Sequence, residues 1–295
     1  MLFKYKLSIA MDVQKYLDRI CFVGKIEISL ACLTKLQHCH QLHVPFENLD
    51  VFTNRKKVLK VEVLYEQIVT QHRGGWCHEL NGMYSWLLRT LGFNVKIISA
   101  NYFNPEKREF QGDFDHMTLV VRLGEQDYMS DVGFGNITQP FDPIWMTPEA
   151  VSIQAGGLYK LTCDNSHWHV HHQERDVEGH HNPSLNKTLK KTSWQTIFRF
   201  DQTGRELEEF QPRCDEYQTD KENCSLAAIP VCINKAENGS VVNILRGRRF
   251  TSVKFQHNSD IRTNQLDLNN EEYDGKLKTI FGIKLNTPLD IENVK

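Results

Sequence analysis

The 295-residue chain has no long hydrophobic run, and nothing in it approaches the roughly 18 consecutive apolar residues of a membrane-spanning helix. It has no excess of either charge. Lys and Arg total 35 against 37 for Asp and Glu, a net charge of −2. That balance gives no electrostatic case for a nucleic-acid partner or a membrane surface. Residues 1–10 carry Lys4 and Lys6 and no continuous apolar core, so they do not read as a signal peptide. A cleaner pattern starts at Met11-Asp12, and the first ten residues read as a dispensable extension. No C-x-x-C pair, internal repeat or low-complexity segment is present. The eight cysteines are scattered. A chain this long builds a core without disulfides, so scattered thiols point to a reduced, cytoplasmic protein. Hydrophobic residues at 40% and charged residues at 24% are ordinary globular usage, against disorder or a collagen-like chain.

What is present begins helical. Asp12 can cap a helix carrying Val13, Tyr16, Leu17 and Ile20. Ser29 can cap a second, with Leu30, Leu33 and Leu36, which should end before Val44-Pro45. Leu64, Ile68 and Val69 mark a third short helix. The strongest carries Leu80, Met83, Tyr84, Leu87, Leu88 and Leu91, starts near Trp76-Cys77 and stops at Gly92. The period then changes to strands. Candidates are 95–98, 115–123, 128–132, 157–163, 168–172, 196–200, 240–245 and 249–255. Residues 174–192 are polar and aperiodic and read as a long loop. Asn270–Phe281 reads as a last helix.

Chemistry concentrates in Arg73-Gly-Gly-Trp-Cys77-His-Glu-Leu-Asn81. Two glycines let the backbone turn tightly before a cysteine at the mouth of the strongest helix. A helix N-terminus favours thiolate over thiol, and its free N–H groups can hold an oxyanion. A nucleophilic Cys needs a base, and the base needs an orienting group. If Gly124-Glu125 is a two-residue turn, facing pairs sum to 249. His116 then faces Gly133, and Asp131 is its diagonal neighbour at about 7–8 Å. The hairpin therefore offers a His–Asp pair, but it does not place Cys77 beside them.

The nine-residue motif resembles the active-site motif of the arylamine N-acetyltransferases. Val44-Pro-Phe-Glu-Asn-Leu49 resembles that family's upstream motif, His116 its histidine strand, and Asp131-Val-Gly-Phe-Gly135 its aspartate motif. Tyr217-Gln-Thr219 and Arg248-Arg-Phe250 extend the likeness more loosely. The resemblance implies an α+β, three-domain cysteine-proteinase-like fold: a helical bundle over 1–92, a β-barrel over 93–200 and an α/β lid over 201–295. It implies ping-pong acetyl transfer from acetyl-CoA, as cosubstrate, to an arylamine or arylhydrazine in xenobiotic metabolism. Cys77, His116 and Asp131 would be the triad, supported by Arg73, Glu47 and Asn81. Gly112, Asp113, Tyr217 and Thr219 would border CoA, with Asn223 and Ser225 as weaker phosphate contacts. Asp115, His116, Phe134, Asn136 and Thr138 would meet the acceptor. The chain ends without the longer tail that many animal members carry, and 174–192 sits where those members have an insertion. No metal, nucleic-acid or membrane partner is implied, and a monomer is expected.

Two other readings compete. His167, His169 and His171 share one strand face, as alternate metal ligands do, but no Cys or carboxylate stands at matching spacing. A histidine-rich exposed strand is preferred. His38, His40 and His43 invite the same thought, but they lie on the helix leading into Val44-Pro45, and ordinary structural histidines are again preferred. A thiol hydrolase or transglutaminase-like enzyme would use the same Cys–His–Asp order. His78 reads as a mere neighbour of Cys77.

Overall fold

The computed structural model describes residues 11–53, 55–148, 150–174, 193–220, 224–256 and 260–291. The expected loop after Glu174, the N-terminal extension and Asn223 lie outside them, as does the side chain of Ser225.

The first third is helical, as its periodicity predicts. Asp12 caps α1 (Val13–Arg19) by accepting from the Gln14 N–H, and Ser29 caps α2 (Leu30–His43) through the Cys32 N–H. The strand β1 (Phe46–Glu47) follows, then α3 (Leu49–Phe52) and α4 (Val61–Tyr65). The third predicted helix is interrupted: α4 gives way to one π-turn, Glu66–Thr70, which still buries Ile68 and Val69. Then comes α5 (Cys77–Thr90), ended by Gly92 at φ +96°.

The strands β2 (Asn94–Asn104), β3 (Glu109–Phe110), β4 (His116–Leu123), β5 (Gln126–Ser130), β6 (Ile144–Trp145), β7 (Val151–Gln154), β8 (Gly157–Asp164), β9 (His167–Gln173) and β10 (Gln195–Arg205) build a long antiparallel sheet. Its order is β6-β5-β4-β2-β10-β9-β8-β7, curled like a barrel, with β3 paired on β2. The chain continues through α6 (Gln211–Thr219) and α7 (Ser225–Ala228) to β11 (Val231–Ala236), β12 (Val241–Arg246), β13 (Arg249–Lys254) and β14 (Ile261–Gln265), and α8 (Asn270–Ile280) follows. These four strands form a second sheet with β1 at its edge, covered by Tyr273, Leu277 and Phe281.

Strand β4 separates two cores by its period of two. Met117, Leu119 and Val121 pack with Leu80, Tyr84 and Leu87 of α5. Val120 faces the barrel interior with Ile98, Ala100 and Phe198. The β4–β5 register has pairs summing to 249, from Leu123–Gln126 to Leu119–Ser130. The ladder stops there. Asp131 leaves the strand rather than sitting diagonally from His116 within it.

Candidate active site

The two glycines before Cys77 are required by packing, since neither has a positive φ. A Cβ on Gly74 would stand 1.9 Å from the Pro45 carbonyl oxygen, and one on Gly75 would stand 2.8 Å from Glu79 Cβ. Strand β1 runs alongside: the Glu47 N–H donates to the Gly75 carbonyl at 2.9 Å. Arg73 ties the two segments together. Its Nε donates to Glu47 Oε1 at 2.9 Å. One terminal nitrogen lies 2.7 Å from Glu47 Oε1 and 2.8 Å from Asp50 Oδ1, both ion-pair contacts off the hydrogen-bond direction. Burial opposes the Arg73 charge, but Glu47 and Asp50 hold it firmly protonated. This is a buried cluster, where an exposed pair would contribute little.

Sequence reasoning missed its neighbour. Lys57 Nζ meets Glu79 Oε2 at 2.6 Å with both side chains fully buried, and sits 4.8 Å from the Trp76 ring centroid. The same Glu79 oxygen accepts the Trp76 N–H at 3.0 Å and so caps α5 one residue before Cys77. Gln67 holds the other oxygen at 3.1 Å.

Cys77 is the first residue of α5 and is buried. His116, at the start of β4, turns Nε2 to Asp131 Oδ2 at 2.6 Å. A carboxylate only accepts, so Nε2 carries the proton and Nδ1 is left for the Cys77 thiol. Asp131 is fixed in turn: its Oδ1 accepts from Asn81 Nδ2 at 3.0 Å and from the Gly133 N–H at 2.9 Å. Asn81 also donates to the Met117 carbonyl and accepts the Val132 N–H, joining α5 to both ends of the hairpin. Burial pushes the Cys77 thiol up, but the charge of His78 and hydrogen bonding to His116 and His78 bring it down to about 6. Burial pushes His116 down, while Asp131 first and Cys77 second raise it to about 10. The pair therefore carries separated charge at neutral pH.

The other predicted residues are distributed around this centre. The Phe134 ring stands edge-on to His116 at 5.2 Å and near Phe198 at 5.5 Å. Asn136 is exposed at the mouth of a small cavity that Lys235 also lines, and Thr138 is half-buried two residues on. Asp115 is occupied: Oδ2 accepts the Tyr102 N–H at 3.2 Å and Oδ1 lies 3.4 Å from Arg213. Gly112 and Asp113 are exposed and bound by Asn101 Nδ2 at 3.0 and 3.2 Å. Tyr217 of α6 is half-buried against His78 and Trp76, while Thr219 is exposed at the end of that helix. The His167–His171 face holds no metal cluster. His169 pairs with Asp164, His171 lies between Thr162 and Thr196, and no group among the described residues is placed to ligate a metal.

A family model described as N-acetyltransferase matches residues 29–289. The chain belongs to the arylamine N-acetyltransferase family. The pineal gland isozyme NAT-3 of that family from Gallus gallus is 30% identical over 279 residues, covering 94% of this chain and 95% of the relative. Arylamine N-acetyltransferase 2 of Mus musculus is 27% identical over 283 residues, covering 95% and 96%. Among solved structures, the arylamine N-acetyltransferase of Salmonella typhimurium superposes with a TM-score of 0.80 at 22% identity, covering 95% of both chains. The Mycobacterium marinum enzyme in complex with CoA gives 0.77 at 22% identity, covering 92% of this chain and 93% of that one. The arylamine N-acetyltransferase fold, with helical bundle, barrel-like sheet and α/β lid, is thus the fold expected from the motifs.

Proposed function

We propose that the chain transfers acetyl from acetyl-CoA to an arylamine or arylhydrazine through a thioester on Cys77. The observation that carries this reading is the buried arrangement at the start of α5. A thiol lowered to about 6 sits beside a histidine whose far nitrogen is held by Asp131 at 2.6 Å.

In this reading the Cys77 thiolate attacks the acetyl carbonyl. The first N–H groups of α5, which have no partner inside the helix, face the developing oxyanion. The bond to the CoA sulfur breaks, and CoA leaves with a proton. An amine nitrogen then attacks the thioester, its proton passes to an imidazole, and the thiolate is released. Asp131 stabilises the imidazolium and keeps its tautomer, with Asn81 and the Gly133 N–H fixing the carboxylate. Arg73, Glu47 and Asn81 act as supports. Gly112, Asp113, Tyr217 and Thr219 border the CoA side, and Phe134, Asn136 and Thr138 the acceptor side. All eight cysteines are free, which supports a reducing, cytoplasmic setting.

Intact-mass measurement after incubation with acetyl-CoA alone tests the reading. One acetyl group on Cys77, discharged by an aromatic amine or hydrazine, is expected. Hydrolysis of an ester or amide with no acetyl-enzyme would favour a thiol hydrolase.

A further inference from the structure

Glu79 fixes more than the helix cap. Its Oε2 accepts the Trp76 N–H at 3.0 Å, and the Trp76 carbonyl accepts the N–H groups of Glu79 and Leu80 at 3.1 and 2.9 Å. The main chain of Trp76 is thus pinned at both of its polar groups. The open donors of this turn are the N–H groups of Cys77 and His78, which meet no acceptor among the described residues. They are placed to hold an oxyanion on a carbonyl that Cys77 attacks. Their direction follows from where the Glu79 carboxylate sits.

Two side chains decide that position. Lys57 Nζ lies 2.6 Å from Glu79 Oε2. Gln67 Nε2 donates to Glu79 Oε1 at 3.1 Å and to the Gly74 carbonyl at 2.7 Å. Lys57 is in turn anchored by α6. The Lys57 N–H donates to Gln218 Oε1 and the Leu59 N–H to Gln211 Oε1, both at 2.6 Å. Both amides donate back to the Lys57 carbonyl, Gln211 at 3.3 Å and Gln218 at 3.4 Å. Two glutamines of α6 therefore grip this segment much as a neighbouring strand would. Tyr217 of the same helix meets the Trp76 ring edge-on at 6.4 Å, and Lys57 Nζ lies 4.8 Å from that ring's centroid.

A fully buried ion pair adds little net stability over apolar residues of the same volume. What it adds is direction, because the cation holds one carboxylate oxygen at one place. We propose that Lys57 is a positioning residue for acetyl transfer, which through Glu79 holds the Cys77 and His78 N–H groups on the developing oxyanion. This rests on the reading of Cys77 as the nucleophile that carries the acetyl group. Lys57 exchanges no proton and forms no bond. Both half-reactions put an oxyanion at the same place, first when the thiolate attacks acetyl-CoA and then when the amine attacks the thioester. Lys57 therefore serves both alike. The thiolate itself depends on a separate set of contacts, from Cys77 through His116 to Asp131.

The test separates oxyanion chemistry from thiolate chemistry. Iodoacetamide alkylates a thiolate by displacing iodide and forms no oxyanion. The variant is Lys57→Met combined with Glu79→Gln, which leaves no unpaired buried charge, with urea unfolding as the check on its fold. Acetylation by acetyl-CoA and discharge of the isolated acetyl-enzyme to an aromatic hydrazine are timed in single turnovers. Removing one oxyanion donor costs about 10²–10³ in rate, so tilting the donors should slow both half-reactions by about tenfold. Alkylation of Cys77 at pH 7 should stay within about twofold of the parent. Gln218→Leu keeps the ion pair but loosens its anchor, and it carries the test if the double variant melts early. It should slow both half-reactions by about threefold with alkylation again unchanged. Parental rates of both half-reactions in a folded variant overturn the proposal, and so does alkylation that slows in step with acetylation. A parent protein that alkylates readily at Cys77 but takes no acetyl from acetyl-CoA would remove the assigned reaction itself, and the oxyanion role with it.

Discussion

The loop after Asp131 lies against the nucleophile's own backbone: a Cβ on Gly133 would stand 3.0 Å from the Cys77 Cα. It would also stand 3.1 Å from Leu80 Cβ and 3.2 Å from Asn81 Nδ2. The space beside Cys77 is therefore closed by backbone and a helix face, not by a flexible side chain that could swing away.

Gly133→Ala should push the aspartate loop and α5 apart by a few tenths of an ångström. Overpacking of this kind costs about 1–3 kcal/mol. Because the same shift lengthens the path from His116 to the thiol, acetylation should slow more than stability falls. Urea unfolding and single-turnover acetylation measure the two effects. A fully active, fully stable variant would show that the loop has slack.

The buried Lys57–Glu79 pair predicts a strong non-additivity. Lys57→Met leaves the Glu79 carboxylate without its cation, and loss of one partner of a buried pair costs about 3–5 kcal/mol. Glu79→Gln in the same chain removes that charge while keeping a side-chain oxygen for the Trp76 N–H. The double variant should recover most of the loss. A double-mutant cycle in urea reads the coupling, and simple addition of the two single losses would count against it.

That pair also shows where sequence reading ends. The caps Asp12 and Ser29, the period of α5 and the Gly124-Glu125 turn are local, so their signals stand within a few residues. The closeness of His116 and Asp131 follows from the hairpin turn by counting. Lys57 precedes Glu79 across an irregular stretch and a π-turn, and no periodicity links them. Helix α6, which brings Tyr217 to His78, buries only Cys214, so it has no apolar stripe to read. Strand β11 pairs with β1, which lies far away in the chain, and neither announces the other. His78 was legible only as a neighbour of Cys77, because its contact with the Phe114 carbonyl crosses 36 residues of chain.

The charged pair sets a pH window. The Cys77 thiol is lowered from 9.0 to about 6, so thiolate dominates above about 6 and is lost as pH falls through it. His116 is raised from 6.5 to about 10, so imidazolium persists below about 10 and is lost as pH rises through it. Alkylation of Cys77 by iodoacetamide should be nearly flat from about pH 7 to 9. It should fall roughly tenfold per unit well below 6. A rate that keeps climbing through pH 8.5 would mean an ordinary thiol. Asp131→Asn should move the midpoint upward by removing the carboxylate that holds the imidazolium.

Phe134 provides the remaining prediction, on acceptor choice. Its ring is half-exposed, edge-on to His116 at 5.2 Å and 6.1 Å from Tyr102, so it walls the space beside the reacting pair. It follows Gly133 and precedes Gly135, whose φ of +66° and contact with Phe46 leave no room for a Cβ and fix the loop's path. The ring should therefore narrow the acceptor side, favouring small planar anilines and hydrazines over fused-ring amines. Phe134→Ser opens that wall without touching the Asp131 contacts to Asn81 and the Gly133 N–H. One methylene of fit is worth about 1–3 kcal/mol, so removing a ring should move the ratio of kcat/KM for a large and a small arylamine by about tenfold or more. Acetylation by acetyl-CoA, which the proposed reading puts on the Tyr217 side, should change little. Some loss of stability is expected, because the ring also packs on Phe198, and urea unfolding separates that loss from selectivity. An unchanged ratio, or an equal fall for both amines in step with slower acetylation, would make Phe134 a packing residue of the barrel rather than a gate.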